Sequence, residues 1–102
     1  MITKEEYIEY RDMVMASAKR QRDEYIRQMT PVWRETGKKL RKIREGLCIS
    51  RRAVAQTIDA ADSVLMRLET GGTIQRRPVI EKSYMAAIEL IQYKRREAAG
   101  LI

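Results

Sequence analysis

Apolar residues recur every three or four positions along most of this chain, and short runs of small or polar residues interrupt them. Such spacing is typical of amphipathic α-helices that bury one face. A chain of 102 residues, of which 44% are apolar, can build one compact domain with an additional segment. The pattern therefore predicts an all-α protein with an N-terminal helical arm at residues 1–30 and one domain at residues 31–102.

The arm is predicted to be a single helix. Thr3 followed by Glu6 is a capping-box pattern, and few helix-breaking residues occur before Pro31. Thr30 before that proline has the pattern of a new helix start, and Trp33 in the new helix is expected in the core. Either one apolar patch of the arm packs on the domain while the other contacts a partner, or both cover the same core. The first patch contains Tyr7, Ile8, Val14 and Met15, and the second contains Tyr25, Ile26 and Met29.

Residues 50–71 predict two short helices joined by a tight corner. Ser50 is a favourable N-cap for the first helix, and the glycines at 71–72 end the second. Small and polar residues at 59–62 separate the helices, and Ala55 is small enough to let them approach closely. The apolar positions at helical spacing are Val54, Ala55 and Ile58, then Val64 or Leu65, and Leu68.

One more helix is predicted from about Val79, with apolar residues spaced to close the core from the other side. The basic run at 94–96 near its end is either a solvated helix terminus, favoured by the helix dipole, or an extra phosphate contact. The apolar positions of this helix are Ile80, Tyr84, Ala87, Ile88 and Ile91.

Taken together, these residues resemble the helix-turn-helix of phage Cro proteins and lambda-type repressors, also called XRE-like. The similarity covers residues 36–91, with Asp59 where the family usually has a corner glycine and Ala61 where it has a capping Ser, Thr or Asn. Capping by Asp59 or Asp62 would shift the start of the second corner helix by a residue or two. The resemblance implies a compact lambda-repressor-like domain of four to five helices with an N-terminal helical extension. The matching residues are Leu40, Arg44, Ile49, Ser50, Val54, Ala55, Ile58, Leu65, Leu68, Glu69 and Gly71.

The excess positive charge is confined to the part of the chain that contains this similarity. The chain has 21 Lys and Arg against 14 Asp and Glu, a net charge of +7, and residues 1–35 hold seven of each sign. The whole excess therefore lies on residues 36–102, as expected of a phosphate-binding surface. The alternative is that these basic side chains only keep a small domain soluble.

The resemblance implies roles for individual residues, with the second corner helix in the major groove of DNA. Arg67 is suited to guanine, and Asp62 either contacts a base or is structural. Arg44 and Glu69 hold the positions of a structural ion pair in lambda-type repressors. The expected base-reading residues are Asp62, Ser63, Val64 and Arg67. The expected contacts to the DNA backbone are Arg51, Arg52, Thr73, Arg76 and Arg77.

We predict a cytoplasmic, sequence-specific transcriptional regulator, a repressor that binds double-stranded DNA as a homodimer on a palindromic operator. Dimer contacts are expected from the arm, or from Tyr93 with Leu101 and Ile102. Two other hypotheses stay open. One is an antitoxin-like protein whose arm binds a second protein, and the other is a helical interaction module in which the corner is only a scaffold.

The sequence argues against an enzyme or a membrane protein. It has no histidine and no glycine-rich phosphate loop, so we expect no catalytic residues, no cofactor and no metal site. The single cysteine, Cys48, lies between two apolar residues, and we expect a buried structural thiol. No apolar run approaches the roughly 20 residues that span a bilayer, and residues 1–11 lack the apolar core of a signal peptide.

Overall fold

The computed structural model describes residues 1–101, which form four α-helices and confirm the all-α prediction. The helices are α1 (Lys4–Gly46), α2 (Arg51–Thr57), α3 (Asp62–Thr70) and α4 (Arg77–Ala98). Ile102, predicted as a possible dimer contact, lies outside the described residues. The principal extents are 74 × 25 × 18 Å. This extended shape contradicts the compactness expected of the domain, because α1 projects far beyond the part that carries α2 to α4.

Helix α1 runs without interruption through Pro31, so the predicted helix boundary at residues 30–31 is wrong. Thr30 does not cap a new helix, because its hydroxyl donates to the Ile26 carbonyl oxygen at 2.6 Å, as helical threonines commonly do. Pro31 removes one helical donor, and Arg27, whose carbonyl would have accepted from it, lies at an exposed position where water can replace the lost bond. The predicted start of α1 is confirmed, since Thr3 accepts from the Glu6 backbone at 3.1 Å.

The corner has the predicted elements. Ser50 caps α2 by accepting from the backbone N–H of Ala53 at 3.0 Å. The corner requires a residue in the left-handed conformation, and Asp59 adopts it in place of the usual glycine, with φ 53°. Helix α3 begins at Asp62 after Ala61, which has no side-chain capping bond, and this settles where the helix starts. It ends at Gly71 with φ 85°.

The core lies entirely within the segment from residue 40 to residue 88. We call residues 36–101 the body. Seven of the nine buried apolar residues lie at positions that helical spacing identifies, and the other two, Leu40 and Ile49, are among the residues that match the family. The buried apolar residues are Leu40, Ile49, Val54, Ala55, Leu65, Leu68, Tyr84, Ala87 and Ile88.

Two expectations about burial are corrected, and one of two open alternatives is excluded. Trp33 is only half-buried, beside the core, where its ring meets Tyr25 edge-on with centroids 6.1 Å apart. Cys48 is exposed, because its φ of 54° turns the chain between Leu47 and the buried Ile49 and directs the thiol outward. In the arm, Tyr7, Val14 and Met15 are all exposed. The alternative in which both apolar patches of the arm cover the same core is therefore wrong.

Gly37 brings α1 against the end of α3. A Cβ atom at this position would lie 2.3 Å from the Leu68 carbonyl oxygen and 2.6 Å from that of Glu69. Glycine in a helix costs roughly 1 kcal/mol relative to alanine, so the close approach explains its presence here. Gly37, Leu40 and Arg44 are the buried residues of α1, and they form the face that carries the rest of the body.

Within residues 1–101, no helix combines the length and the apolar character that crossing a membrane requires.

Candidate nucleic-acid interface

Helix α3 has one buried and one exposed face. Leu65, Leu68 and Glu69 are buried against the body. Three of the four predicted base-reading residues, Asp62, Ser63 and Arg67, are exposed, while Val64 is half-buried. The helical period explains this division, since residues three or four positions apart lie on the same side of a helix. The exposed residues of α3 are Asp62, Ser63, Met66, Arg67 and Thr70.

A buried polar cluster holds α3 from behind. The predicted ion pair is present, with Arg44 Nε and Nη2 donating to the two Glu69 carboxylate oxygens at 2.8 and 3.0 Å. Arg44 Nη1 also donates to the Ile49 carbonyl oxygen at 2.9 Å. Tyr84 donates its hydroxyl proton to Glu69 at 2.7 Å. The cluster connects α1, α3, α4 and the turn before α2. Every buried polar side-chain atom among residues 1–101 has a hydrogen-bond partner.

The cluster also shifts the pKa values of Tyr84 and Arg44. Burial, and then the hydrogen bond to the Glu69 carboxylate, raise the pKa of Tyr84 well above its usual value of 10. The Glu69 carboxylate raises the pKa of Arg44. Tyr84 therefore stays a hydrogen-bond donor and Arg44 stays charged. The sequence placed Tyr84 in the core but did not reveal the polar role of its hydroxyl.

Arg77, a predicted contact to the DNA backbone, is buried in the body. Its guanidinium donates to the carbonyl oxygens of Gly72 and Leu68, both at 2.8 Å, and of Trp33 at 3.0 Å. A further bond reaches Glu81 at 3.1 Å, and the guanidinium lies 5.3 Å from the Trp33 ring centroid. Arg77 thus binds the C-terminal end of α3 and joins it to α1 and α4. Its neighbour Arg76 is exposed.

Arg51 and Asp62 join the first residues of α2 and α3. Arg51 Nε and Nη2 donate to the two Asp62 carboxylate oxygens at 2.9 and 3.1 Å. This hydrogen-bonded pair lowers the pKa of Asp62 and raises that of Arg51. The Asp62 carboxylate also lies in the first turn of α3, where the helix dipole favours a negative charge. Its engagement by Arg51 favours the structural alternative for Asp62 over base reading.

Predicted contacts from two parts of the chain meet in one recess beside α3. The recess has a volume of about 590 Å³ and lies between α3, the connection to α4 and the start of α4. It brings Val64 and Arg67, predicted to read bases, together with Thr73 and Arg76, predicted to contact phosphate. Arg76 has a φ of 53°, an uncommon conformation for a residue other than glycine.

The basic residues around α3 divide into two groups. Arg44, Arg51 and Arg77 form ion pairs with acidic residues of the body. Among the ion pairs of residues 1–101, none includes Arg52, Arg67 or Arg76. The second group is exposed, so its charges are available to a ligand.

The basic run at 94–96 contributes to the body through Arg95. Its Nη1 and Nη2 atoms donate to the carbonyl oxygens of Leu47 at 2.6 Å and Cys48 at 2.9 Å. These carbonyls follow the end of α1 and need external donors. The contact supports neither of the two alternatives for Arg95, because the residue fastens α4 to the end of α1.

A scan against protein-family models, a search of the curated proteins and a search of the solved structures found no match to this chain. The functional assignment therefore depends on the geometry of the surface around α3.

Proposed function

We propose that the protein is a cytoplasmic, sequence-specific DNA-binding regulator of transcription, a homodimeric repressor similar to Cro and the lambda-type repressors. The observation that carries this proposal is the outward face of α3. Ser63 and Arg67 are exposed there, and the unpaired charges of Arg76 and Arg52 lie on the recess wall and on α2. An α-helix fits the major groove of B-DNA, and basic side chains beside it can bind the two phosphate backbones.

The residues of this surface have separate roles in the proposed complex. Arg67 pairs with guanine through two parallel hydrogen bonds, a contact worth roughly 1–3 kcal/mol of discrimination. Ser63 contacts a neighbouring base edge, and Val64 meets a thymine methyl group. Arg76, Thr73 and Arg52 bind phosphates. Arg51 presents the edge of its guanidinium that Asp62 does not occupy.

The buried contacts behind α3 support this function because they orient the helix before DNA binds. Arg44, Tyr84 and Arg77 attach both the side and the C-terminal end of α3 to the other helices. A surface that is already ordered loses less conformational entropy on binding than a mobile one.

The proposal is tested by selecting bound sites from a random DNA pool. The protein is then titrated onto the enriched site to measure its affinity. We expect an enriched palindrome, and an affinity that falls steeply as salt rises because counterions are released from phosphates. Arg67→Ala should relax the preference at one base position. Arg20→Ala is the matched control, since it removes an exposed arginine from the neutral part of α1, far from α3. Absence of DNA binding at low salt would overturn the proposal.

A second candidate is a partner-binding protein of the antitoxin type. The observation that favours it is the row of exposed apolar side chains in the arm, such as Tyr7, Tyr10 and Met13. Copurification of a different protein in stoichiometric amount, lost when the arm carries charged substitutions, would support this candidate over a homodimer.

A further inference from the structure

Helix α1 carries a seam that is apolar at five of its eight positions and that its own body does not cover. In the first half of α1, Tyr7 and Val14 are seven residues apart. Tyr25 and Val32 have the same spacing in the second half, and all four lie on one side of the helix. All four side chains are exposed, with fractions between 46% and 56%. A repeat of 3.5 residues is the spacing by which two helices pair over a long distance. The complete seam consists of Tyr7, Arg11, Val14, Ala18, Gln21, Tyr25, Gln28 and Val32.

The second half of this seam forms one wall of an open groove. The groove has a volume of about 510 Å³ and lies between α1 and the connection that leads into α4. Tyr25, Val32 and Trp33 line it from α1, and Ile74 and Pro78 line it from the other side. The first half of the seam has no such neighbour, because Tyr7 and Val14 lie on the projecting part of α1. The second half of the seam thus borders an apolar groove, whereas the first half is an exposed apolar ridge.

We propose that the groove is occupied by the arm of a second copy of this chain, running antiparallel. In that arrangement Tyr7 of one copy faces Val32 of the other, and Val14 faces Tyr25. Both apolar contacts occur twice, since the two copies are related by a two-fold axis. The axis passes between Ala18 and Gln21, which then face each other.

The charges of the chain favour the antiparallel over the parallel arrangement. Antiparallel pairing places Lys4 opposite Glu35 and Arg11 opposite Gln28. Parallel pairing would place Lys4 opposite Lys4 and Arg11 opposite Arg11, and like charges that face each other are destabilising. Residues 1–35 are neutral as a whole, so the paired segments carry no net repulsion.

The positions of the two bodies give a second electrostatic argument. Helix α3 lies beside residues 37–44 of α1, about 21 residues from the two-fold axis. At a rise of about 1.5 Å per residue, the α3 helices of the two copies are about 60 Å apart. At that distance the repulsion between two bodies that each carry the whole +7 excess is screened, since the Debye length is about 8 Å at physiological salt. Parallel arms would bring the bodies side by side.

This geometry has a consequence that rests on the proposed function. A separation of about 60 Å is too large for half-sites one turn apart and is close to two turns of DNA, about 68 Å. The enriched operator should therefore have half-site centres separated by about two helical turns.

Self-association is tested without DNA by sedimentation equilibrium of two charge variants. Val14→Glu is placed in the seam, and Met13→Glu changes the adjacent exposed residue on another side of α1. We expect Val14→Glu to raise the dimer dissociation constant at least about tenfold, whereas Met13→Glu leaves it near that of the wild type. Unchanged helix content in both variants shows that folding is intact. A wild-type chain that remains monomeric, or equal effects of the two variants, would overturn the proposal.

Disulfide trapping tests the direction of pairing. In a Cys48→Ser background, Val14→Cys and Tyr25→Cys are oxidised separately and as a mixture. Antiparallel pairing predicts that the linked dimer forms mainly in the mixture, whereas preferential linking of each variant to itself would overturn the proposal. If the mixed disulfide forms but no DNA site is enriched, the proposed function fails and the dimer stands. If a palindrome with one-turn spacing is enriched, the function stands and the antiparallel dimer fails.

Discussion

The arm and the body of this protein are both helical, but they use apolar residues in opposite ways. In the body, Leu65, Leu68 and Tyr84 are completely buried, whereas Tyr7, Met13 and Val14 in the arm are about half exposed. The body carries the whole excess positive charge and the arm is neutral. A helical hydrophobic pattern therefore predicts that a face will be covered, but it does not specify whether the same chain or another molecule covers it.

The sharpest contrast between the two regions is expected from their ion pairs. Arg44→Met should reduce the free energy of unfolding by about 3–5 kcal/mol, because it leaves the Glu69 carboxylate buried without its cation. Arg27→Met removes the partner of Glu24 in the arm, where both side chains are exposed, and should have no measurable effect. Urea denaturation followed by circular dichroism measures both changes. Similar losses in the two variants would mean that the arm is as tightly integrated as the body.

The second prediction concerns the place where α1 changes from arm to body. Gly37→Ala should cost about 2 kcal/mol, because the new methyl group collides with backbone carbonyls of α3 that cannot move independently. Gly46→Ala is the matched control in the same helix, since a Cβ atom there meets nothing within 4 Å. We expect this control to be neutral or stabilising by up to about 1 kcal/mol. Urea denaturation followed by circular dichroism measures the stability of both variants. A Gly37→Ala variant as stable as the wild type would contradict the close approach of α1 and α3.

The smallest expected effect is a dependence on alkaline pH within the body. At neutral pH, Tyr84→Phe should reduce stability by about 2 kcal/mol, since the Glu69 carboxylate loses a buried donor. Folding raises the pKa of Tyr84 above its unfolded value of 10. The stability from this hydrogen bond is therefore fully present below pH 10 and is lost as the pH rises further.

Measuring the free energy of unfolding at several pH values tests whether this stability falls as the pH rises. The stability difference between wild type and Tyr84→Phe should be constant below about pH 10 and should shrink above it. Tyr93→Phe provides the comparison, because Tyr93 is exposed. A difference that grows at high pH would contradict the role assigned to Tyr84.

Much of the corner could be predicted from the sequence because its determinants are local. Ser50 caps the helix that follows it, Asp59 adopts the left-handed turn, and Gly71 ends α3. Each depends on residues only a few positions away. The core of the body was also predictable, since helical spacing identifies which residues share a face.

The exposure of the arginines around α3 was harder to predict, because it depends on contacts between segments that are far apart in the chain. Arg76 and Arg77 are adjacent and chemically identical, yet one is exposed and the other binds three carbonyl oxygens in the interior. The carbonyl oxygens that hold Arg77 belong to Trp33, Leu68 and Gly72, none of which is in α4. The pairing of Arg51 with Asp62 likewise joins residues that only the corner brings together.

By itself, the sequence determined the presence of α2, α3 and α4, the cap of α2 at Ser50, the end of α3 at Gly71, and the face that each of these helices buries. These features follow from backbone conformation and from the helical period, which act over a few residues. The tertiary structure alone decided that α1 continues through Pro31, that Gly37 lies against α3, that Cys48 points outward, and which arginines remain exposed. Those features depend on contacts between segments far apart in the chain, and their energies appear only when the helices pack.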